Sequence, residues 1–197
     1  AARHAGIPLV SYAQAIAYYF NNRYGVAVSG THGKTTTSAM LAYVFSELGK
    51  DPTAVIGSRV IQFGTNALVG SSEYFVLEAD EYKNKLALYE PKATIITSID
   101  YDHPDFFKTF DDYKQAFVDF VNKSEQEHVI VCSDNEGVRT AMNDFTNENI
   151  ITYGWNTEAR YQGSNYQIDQ GQSVFEVSRD GVSMGEFRIG LLGQHNA

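Results

Sequence analysis

A glycine-rich loop that ends in lysine and threonine is the clearest chemical motif of the chain. It comprises Gly30, Thr31, His32, Gly33, Lys34, Thr35 and Thr36. In such a loop, backbone N–H groups and a helix N-terminus favour phosphate, the lysine reaches the terminal phosphates, and the hydroxyl can ligate Mg²⁺. The common pattern has a further glycine five residues before Gly33, where this chain has Val28. The motif therefore predicts a nucleotide site of a variant class.

The segments on both sides of the loop support this interpretation. Residues 26–28 (Val-Ala-Val) are typical of a buried strand, and apolar residues recur at helical spacing after Lys34. Gly49 and then Pro52 mark the end of that helix. Strand, loop and helix thus occur in the order that phosphate binding requires. The alternative is that the two glycines only shape a tight turn and that Lys34 is solvated.

Two other apolar segments end in residues that could meet a nucleotide-bound metal. Residues 74–78 end in Glu78, which is the first of several acids. Residues 95–99 are followed by a segment that ends at His103. The carboxyl ends of parallel strands share one edge of a sheet, so Glu78 and His103 can converge beside the loop. A carboxylate and a neutral imidazole could hold Mg²⁺, although this ion prefers oxygen ligands, which makes His103 the weaker of the two.

The neighbouring acids have a simpler interpretation. Asp80, Glu81 and Asp102 would be solvated loop acids, and His103 would cap the next helix. For Asp80 and Glu81 we favour this interpretation over a role in the site.

The order of predicted elements indicates an α/β fold with a largely parallel sheet flanked by helices. A first helix over 12–20 is capped by Ser11. After the loop, strands and helices alternate, which is the pattern of βαβ units. The predicted strands are 53–61, 73–77, 92–99, 129–132 and 150–153, and the main helices between them are 109–122 and 135–145.

The pattern of polar and apolar residues changes after Trp155. Residues 161–189 alternate polar and apolar side chains, with turn sequences at 169–171 and 179–181. These residues predict a small antiparallel β annex to the main sheet.

Composition excludes several classes of function. The chain has 197 residues, a net charge of −9 and no basic tract, so nucleic acid and anionic membranes are poor partners. Its single cysteine, Cys132, lies in an apolar run and is interpreted as a buried strand thiol rather than a nucleophile. Neither a signal peptide nor an apolar run of membrane-spanning length is evident, and no disulfide is possible, so we expect a cytoplasmic protein without membrane insertion.

Taken together, the motifs resemble those of the Mur ligases, over essentially the whole chain. Within that family, His32 is characteristic of the branch that joins L-alanine to UDP-N-acetylmuramate and of its relative, the murein-tripeptide recycling ligase. Other branches usually have asparagine at this place. The matching segments occur in family order and at family-like spacing; they are 30–37, 63–67, 78–81, 97–103 and 193–196.

The resemblance implies a P-loop-containing fold, that of the Mur ligase central domain, within a three-domain enzyme. Residues 1–24 would be the C-terminal end of the UDP-binding domain with a linker helix. Residues 25–197 would be most of the ATP-binding central domain, and the C-terminal amino-acid-binding domain would be absent. The implied activity is ATP-dependent ligation of L-alanine to the carboxylate of UDP-N-acetylmuramate, through an acyl phosphate, in peptidoglycan precursor synthesis. Residues 1–197 alone are expected to lack this activity.

The resemblance also implies roles for residues of the loop and of the two strand ends, with ATP and Mg²⁺ as cofactors. Lys34 would contact the β- and γ-phosphates, and Thr35 would ligate the Mg²⁺ between them. Glu78 and His103 would hold a second Mg²⁺ near the γ-phosphate and the substrate carboxylate. Lys34, Glu78 and His103 would thus be the catalytic residues.

The remaining implied contacts are with the nucleotide. Asn196, with His195 beside it, would meet the adenine, and His32 would lie along the phosphates or the muramyl carboxylate. The other ATP-binding residues would be those of the loop, Gly30, Thr31, Gly33 and Thr36.

Some residues depart from the family pattern, and some alternatives stay open. Ser98 and Leu192 stand where asparagine and proline are more usual, and residues 82–85 replace a common Ser-Asp. The recycling ligase shares the same motifs, and a non-catalytic nucleotide-binding regulator would keep the loop but not need Glu78 and His103. A plain P-loop hydrolase would not need the 193–196 motif.

Overall fold

The computed structural model describes residues 8–123 and 126–197, and within these ranges ten strands form one sheet. The helices are α1 Tyr12–Phe20, α2 Lys34–Glu47, α3 Phe110–Asn122 and α4 Glu136–Met142. The strands are β1 Tyr24–Ser29, β2 Thr53–Val60, β3 Thr65–Leu68, β4 Tyr74–Glu78, β5 Ala93–Ile96, β6 His128–Cys132, β7 Ile150–Gly154, β8 Tyr161–Asp169, β9 Gln172–Arg179 and β10 Val182–Ile189.

The strand order is β10-β9-β8-β7-β6-β5-β1-β4-β2-β3. From β2 to β8 along this order the pairs are parallel, and β3, β9 and β10 are attached antiparallel. β1, which leads into the glycine-rich loop, lies between β4 and β5. The predicted α/β class with a largely parallel sheet is therefore confirmed, and both segments that end in candidate ligands flank the loop strand.

Helix ends follow the capping residues that the sequence offers. Ser11 accepts a hydrogen bond from the Gln14 N–H, and the Gln14 side chain accepts one from the Ser11 N–H, which completes a capping box. Thr109 caps α3 in the same way with Asp112. The α4 helix begins after Asn135 as predicted but ends at Met142, earlier than expected.

Side chains of the central strands alternate between two apolar clusters on opposite faces of the sheet. On one face, Ala42 of α2 packs with Ala54 of β2 and Val76 of β4. On the other face, α1, α3 and α4 cover the larger cluster, in which Phe20 is fully buried. Its ring makes an edge contact with Phe75, at 5.4 Å between ring centroids.

The predicted antiparallel annex is present, and it continues the main sheet. β8 pairs in parallel with the end of β7, and two hairpins follow through β9 and β10. Gly163 of β8 allows the Trp155 ring to pack against its backbone, since a Cβ there would lie 2.8 Å from that ring. The tryptophan and Gly163 thus join the annex to the end of β7.

Two features were not predicted. The short strand β3 pairs antiparallel with β2 at one edge of the sheet. Residues Tyr82–Leu88 form 3₁₀ turns with a kink, where Lys83 and Asn84 both adopt positive φ of 56° and 55°. The predicted strand 92–99 is also shorter, because its last residues leave the sheet to contact the glycine-rich loop.

Candidate active site

The glycine-rich loop packs closely against the residues that follow β5. Gly30 has φ of +135°, and a Cβ there would lie 2.3 Å from Thr97 Oγ1 and 2.8 Å from the Ser98 N–H nitrogen. Gly33 adopts φ of +80° at the N-cap position, directly before α2. Both conformations favour glycine, so each glycine of the motif has a specific structural reason. Ser98, one of the departures from the family pattern, accepts a hydrogen bond of 3.0 Å from the His32 N–H.

The Lys34 ammonium is folded back over its own loop. It donates to the carbonyl oxygens of Gly30 and Thr31, and it forms an ion pair with Glu81 at 3.0 Å. Only 1% of the Glu81 side chain is exposed. The interpretation of Glu81 as a solvated loop acid is therefore wrong, because the chain turns inward after β4 and buries this carboxylate beside the lysine.

Tyr113 of α3 completes this arrangement, and sequence analysis missed it. Its hydroxyl lies 3.0 Å from Glu81 Oε1 as donor and 2.8 Å from Thr31 Oγ1. Burial raises the pKa of the Tyr113 phenol above its ordinary value, so the group stays protonated and can donate. The only signal in the sequence was an aromatic residue on the apolar face of a predicted helix, which more often indicates packing.

Glu78 contacts the loop on its other side. Its carboxylate accepts a hydrogen bond of 2.8 Å from the Thr35 hydroxyl and another from the Gly57 N–H of β2. A Cβ at Gly57 would lie 2.4 Å from Glu78 Oε1. Gly57 is thus a second missed residue, although a glycine inside a strand is a recognised sign of close approach.

His103 lies next to Glu81 and does not reach Glu78. Among the described residues, the acids within 4.0 Å of His103 Nε2 are Glu81 at 3.6 Å and Asp102 at 3.9 Å. The alternative that His103 caps the next helix is wrong, because Thr109 has that function. The imidazole packs on Tyr82, with 4.6 Å between ring centroids.

The donor atoms at this edge suit a hard divalent cation. One ligand atom each from Asp80, Glu81 and His103 lie within 4.8 Å of one another, and the Glu78 carboxylate and Thr35 hydroxyl form a second oxygen pair. Carboxylate and hydroxyl oxygens are ligands that Mg²⁺ prefers. Asp80 is partly exposed and forms an ion pair with Lys85.

Asp80 is held in its charged form. Burial alone would raise its pKa, but the hydrogen bonds from Lys85 and from the Tyr82 N–H outweigh burial, so the pKa of Asp80 lies below its ordinary value. The carboxylate is therefore ionised near neutral pH.

A cavity of about 1290 Å³ extends from the loop across the open face of β5 to β9. Its wall includes His32, which is 75% exposed, together with Gly33 and Thr36. Trp155 and the segment 194–196 form another part of the wall. The structure thus brings the glycine-rich loop and the C-terminal motif to one hollow although they are far apart in sequence.

Two details of this cavity bear on the predicted residues. Asn196 donates its side-chain N–H to the Leu192 carbonyl at 2.8 Å, within the turn that carries the motif. Cys132 lines the cavity from β6, where burial raises the pKa of its thiol. A raised pKa disfavours the thiolate, in agreement with a strand thiol and not a nucleophile.

The model of the Mur ligase middle domain matches residues 28–197. The chain belongs to the Mur ligase family.

Among Mur ligases of curated function, the UDP-N-acetylmuramate–L-alanine ligase of Solidesulfovibrio magneticus is 42% identical over 197 residues, which cover 99% of this chain and 42% of the relative. The corresponding Myxococcus xanthus ligase is 39% identical over 198 residues, covering 100% and 42%. The chain thus spans about two fifths of the length of these curated Mur ligases.

A solved Mur ligase structure has the same fold. The UDP-N-acetylmuramate:L-alanyl-gamma-D-glutamyl-meso-diaminopimelate ligase from Neisseria meningitides superposes with a TM-score of 0.88 at 25% identity, covering 99% of this chain and 64% of that one. The predicted fold of the Mur ligase central domain is therefore confirmed. Among the described residues, every helix is too short or too polar to cross a bilayer.

Proposed function

We propose that this chain is the ATP-binding part of a ligase that joins L-alanine to the carboxylate of UDP-N-acetylmuramate. The observation that carries the proposal is the 2.8 Å hydrogen bond between Thr35 and Glu78, directly beside Lys34. It joins the proposed phosphate-binding loop to an acid at the end of a neighbouring strand. A loop whose glycines only shaped a tight turn would not need such a contact. The identity to L-alanine ligases over the whole chain supports the choice of substrates.

The chemistry follows from the poor reactivity of a carboxylate. An oxygen of the muramyl carboxylate attacks the γ-phosphorus of ATP, the bond to the β-phosphate oxygen breaks, and ADP leaves. The amine of L-alanine then attacks the acyl phosphate carbon, loses a proton, and inorganic phosphate leaves with one former carboxylate oxygen. Such phosphoryl transfer requires positioning and charge neutralisation more than covalent help from the protein.

Lys34 and the loop would supply the neutralisation on the phosphates. The Lys34 ammonium and the α2 N-terminus offset the charge that moves between the β- and γ-phosphate oxygens. Thr35 and Glu78 would hold one Mg²⁺, and His103 with the adjacent acids would hold another, which would lower repulsion between the triphosphate and the carboxylate. Glu81 would belong to this second set, since its carboxylate lies 3.6 Å from the His103 imidazole.

The cavity between the loop and residues 194–196 is the proposed place of the adenosine. Asn196 and His195 would meet the adenine, and His32, exposed at the cavity wall, would lie beside the phosphates. Trp155 provides an apolar wall that a flat base can pack against.

The domain assignment is part of the same proposal. Residues 25–197 would be the central ATP-binding domain, with 1–24 as the end of the UDP-binding domain. Of that segment, residues 1–7 lie outside the described part. The amine pocket would belong to a further domain, and the enzyme would act in the cytoplasm without nucleic acid or a membrane as partner.

A second candidate is the tripeptide recycling ligase. The similarity in structure to the Neisseria ligase favours it, since that enzyme is named for joining a tripeptide to UDP-N-acetylmuramate. The two candidates differ in the amine and agree in the loop and the metal residues.

A phosphate-release assay on the complete protein tests the proposal. With Mg-ATP and UDP-N-acetylmuramate, we expect phosphate release that depends on L-alanine and not on the tripeptide. Dependence on the tripeptide alone would establish the recycling ligase. Release without any acceptor would indicate a hydrolase, and ATP binding without release would indicate a regulator.

A further inference from the structure

Every N–H group of the Lys34 ammonium has an acceptor in this structure. The three acceptors are the Gly30 carbonyl, the Thr31 carbonyl and the Glu81 carboxylate. An ammonium has three donors, so a phosphate can bind Lys34 only in exchange for one of these contacts. Glu81 is the one anion among them and is therefore the direct competitor of a phosphate.

Glu81 remains in place through a second contact. Its other oxygen, Oε1, receives the Tyr113 hydroxyl at 3.0 Å, and 1% of its side chain is exposed. A buried carboxylate that loses its cation incurs a desolvation cost unless other donors compensate it. Tyr113 is such a donor, and it stays with Glu81 when Lys34 turns towards a phosphate.

We propose that Glu81 and Tyr113 are positioning residues that set how readily Lys34 is released to the polyphosphate of a nucleotide. Glu81 opposes binding because it holds the lysine. Tyr113 favours binding because it stabilises the carboxylate that the lysine leaves behind. The inference rests on the proposed nucleotide site. It gives Glu81 a role in the absence of Mg²⁺, besides its place in the proposed ligand set, and it gives a role to the Tyr113 phenol, which lies outside that set.

The inference predicts substitutions of opposite effect. Glu81→Gln removes the competing charge, so we expect pyrophosphate and ADP to bind about tenfold more tightly in the absence of Mg²⁺. Tyr113→Phe leaves the carboxylate less supported, so we expect binding about fivefold weaker. In the Glu81→Gln background no carboxylate charge remains to be supported, and Tyr113→Phe should then have little effect.

Isothermal titration calorimetry on the complete protein, with EDTA present, measures these affinities. Two controls match the variants. Tyr101→Phe removes a hydroxyl from the same aromatic cluster, where it bonds the Phe107 carbonyl, and Glu127→Gln removes a carboxylate that accepts from the Tyr24 hydroxyl. Both should leave the affinities unchanged.

The outcomes test the nucleotide site and the roles of Glu81 and Tyr113 separately. Wild-type protein that binds neither ADP nor pyrophosphate would contradict the nucleotide site itself. Wild-type binding that both variants weaken, or a Tyr113→Phe effect of equal size with and without the Glu81→Gln substitution, would overturn the roles proposed for Glu81 and Tyr113. Thermal melting shows whether each variant is folded, and Glu81→Asp, expected to tighten binding by a smaller factor, replaces Glu81→Gln if that variant does not fold.

Discussion

The Thr35 hydroxyl donates a 2.8 Å hydrogen bond to the Glu78 carboxylate, although the two residues are 43 positions apart in the chain. Thr35 lies in the first turn of α2, and Glu78 ends β4, which pairs directly with the strand that leads into the loop. The contact therefore places an acid at the phosphate loop by the geometry of two adjacent parallel strands.

Glu78→Gln keeps the shape of the side chain and removes its charge. We expect the fold to persist and turnover by the complete protein to fall by roughly a hundredfold or more, because the proposed Mg²⁺ loses an anionic ligand. A titration of activity against Mg²⁺ should show a higher requirement. The matched control is Glu90→Gln, whose exposed carboxylate pairs with Lys123 and should have no effect.

Gly57→Ala tests the same carboxylate from the strand beside it. The added methyl would lie 2.4 Å from Glu78 Oε1, so the acid must move away from Thr35. We expect weaker Mg-ATP binding by calorimetry in a folded protein. Gly190→Ala adds a methyl with no atom of its surroundings within 4 Å and should bind as the wild type does; equal affinities for all three proteins would contradict the assignment.

Lys34→Met should affect both activity and stability. It removes the cation on the phosphates, which we expect to cost on the order of a thousandfold in rate. It also removes the lysine cation that is paired with the buried Glu81 carboxylate, so the free energy of unfolding should fall by about 3 kcal/mol. Urea unfolding measures the second effect. The double variant Lys34→Met, Glu81→Gln should recover much of the stability and none of the activity, whereas a stability loss that persists would mean that the ion pair is not its source.

The Asp134 carboxylate should make the cavity wall sensitive to acid. Burial alone would raise its pKa, but hydrogen bonds from the Trp155 and Asn156 N–H groups and the Asn156 side chain lower it below the ordinary 3.8. A depressed pKa in the folded state means that the stabilisation is complete above the unfolded pKa and is lost as pH falls through the folded pKa. We expect fluorescence of Trp155, the single tryptophan, to change below about pH 4.

Asp134→Asn is the control for that titration, because it removes the ionisable group and should abolish the change attributed to it. A fluorescence transition at the same pH in this variant would assign the acid response to another group.

Asn196→Ala tests whether Asn196 contacts the adenine base or the phosphates of the nucleotide. If the asparagine meets the adenine, ATP should bind about tenfold more weakly and tripolyphosphate should bind unchanged. Competition against a fluorescent nucleotide measures both ligands in one experiment. An equal loss for the two ligands would place Asn196 at the phosphates or show that its 2.8 Å bond to the Leu192 carbonyl shapes the turn as a whole.

Local sequence was sufficient to predict the glycine-rich loop and the elements around it. Three kinds of signal depend only on residues nearby in the chain: the loop glycines, the α1 and α3 caps and the apolar strand runs. They can therefore be recognised in the sequence without the tertiary structure. Gly57 also left a local sign, as a glycine inside a strand, and could have been recognised.

The contacts of Glu81 depend on tertiary structure and could not be predicted in that way. An acid three residues after a strand is usually exposed; here α3 covers it and supplies Tyr113. Strand order is a second example. β4 and β5 lie on opposite sides of β1, so the residues after them approach the loop from two sides. Which acid after β4 then meets His103 depends on the path of the chain beyond the strand, and the structure shows that it is Glu81 and not Glu78.

The most direct test of the account follows the carboxylate oxygen through the reaction. UDP-N-acetylmuramate labelled with ¹⁸O in its carboxylate is incubated with the complete protein, Mg-ATP and L-alanine, and the released phosphate is analysed by mass spectrometry. The account predicts one ¹⁸O atom in each phosphate released, since the oxygen that attacks the γ-phosphorus leaves with it. Unlabelled phosphate, formed at the same rate with or without L-alanine, would contradict an acyl phosphate ligase and show that water is the acceptor.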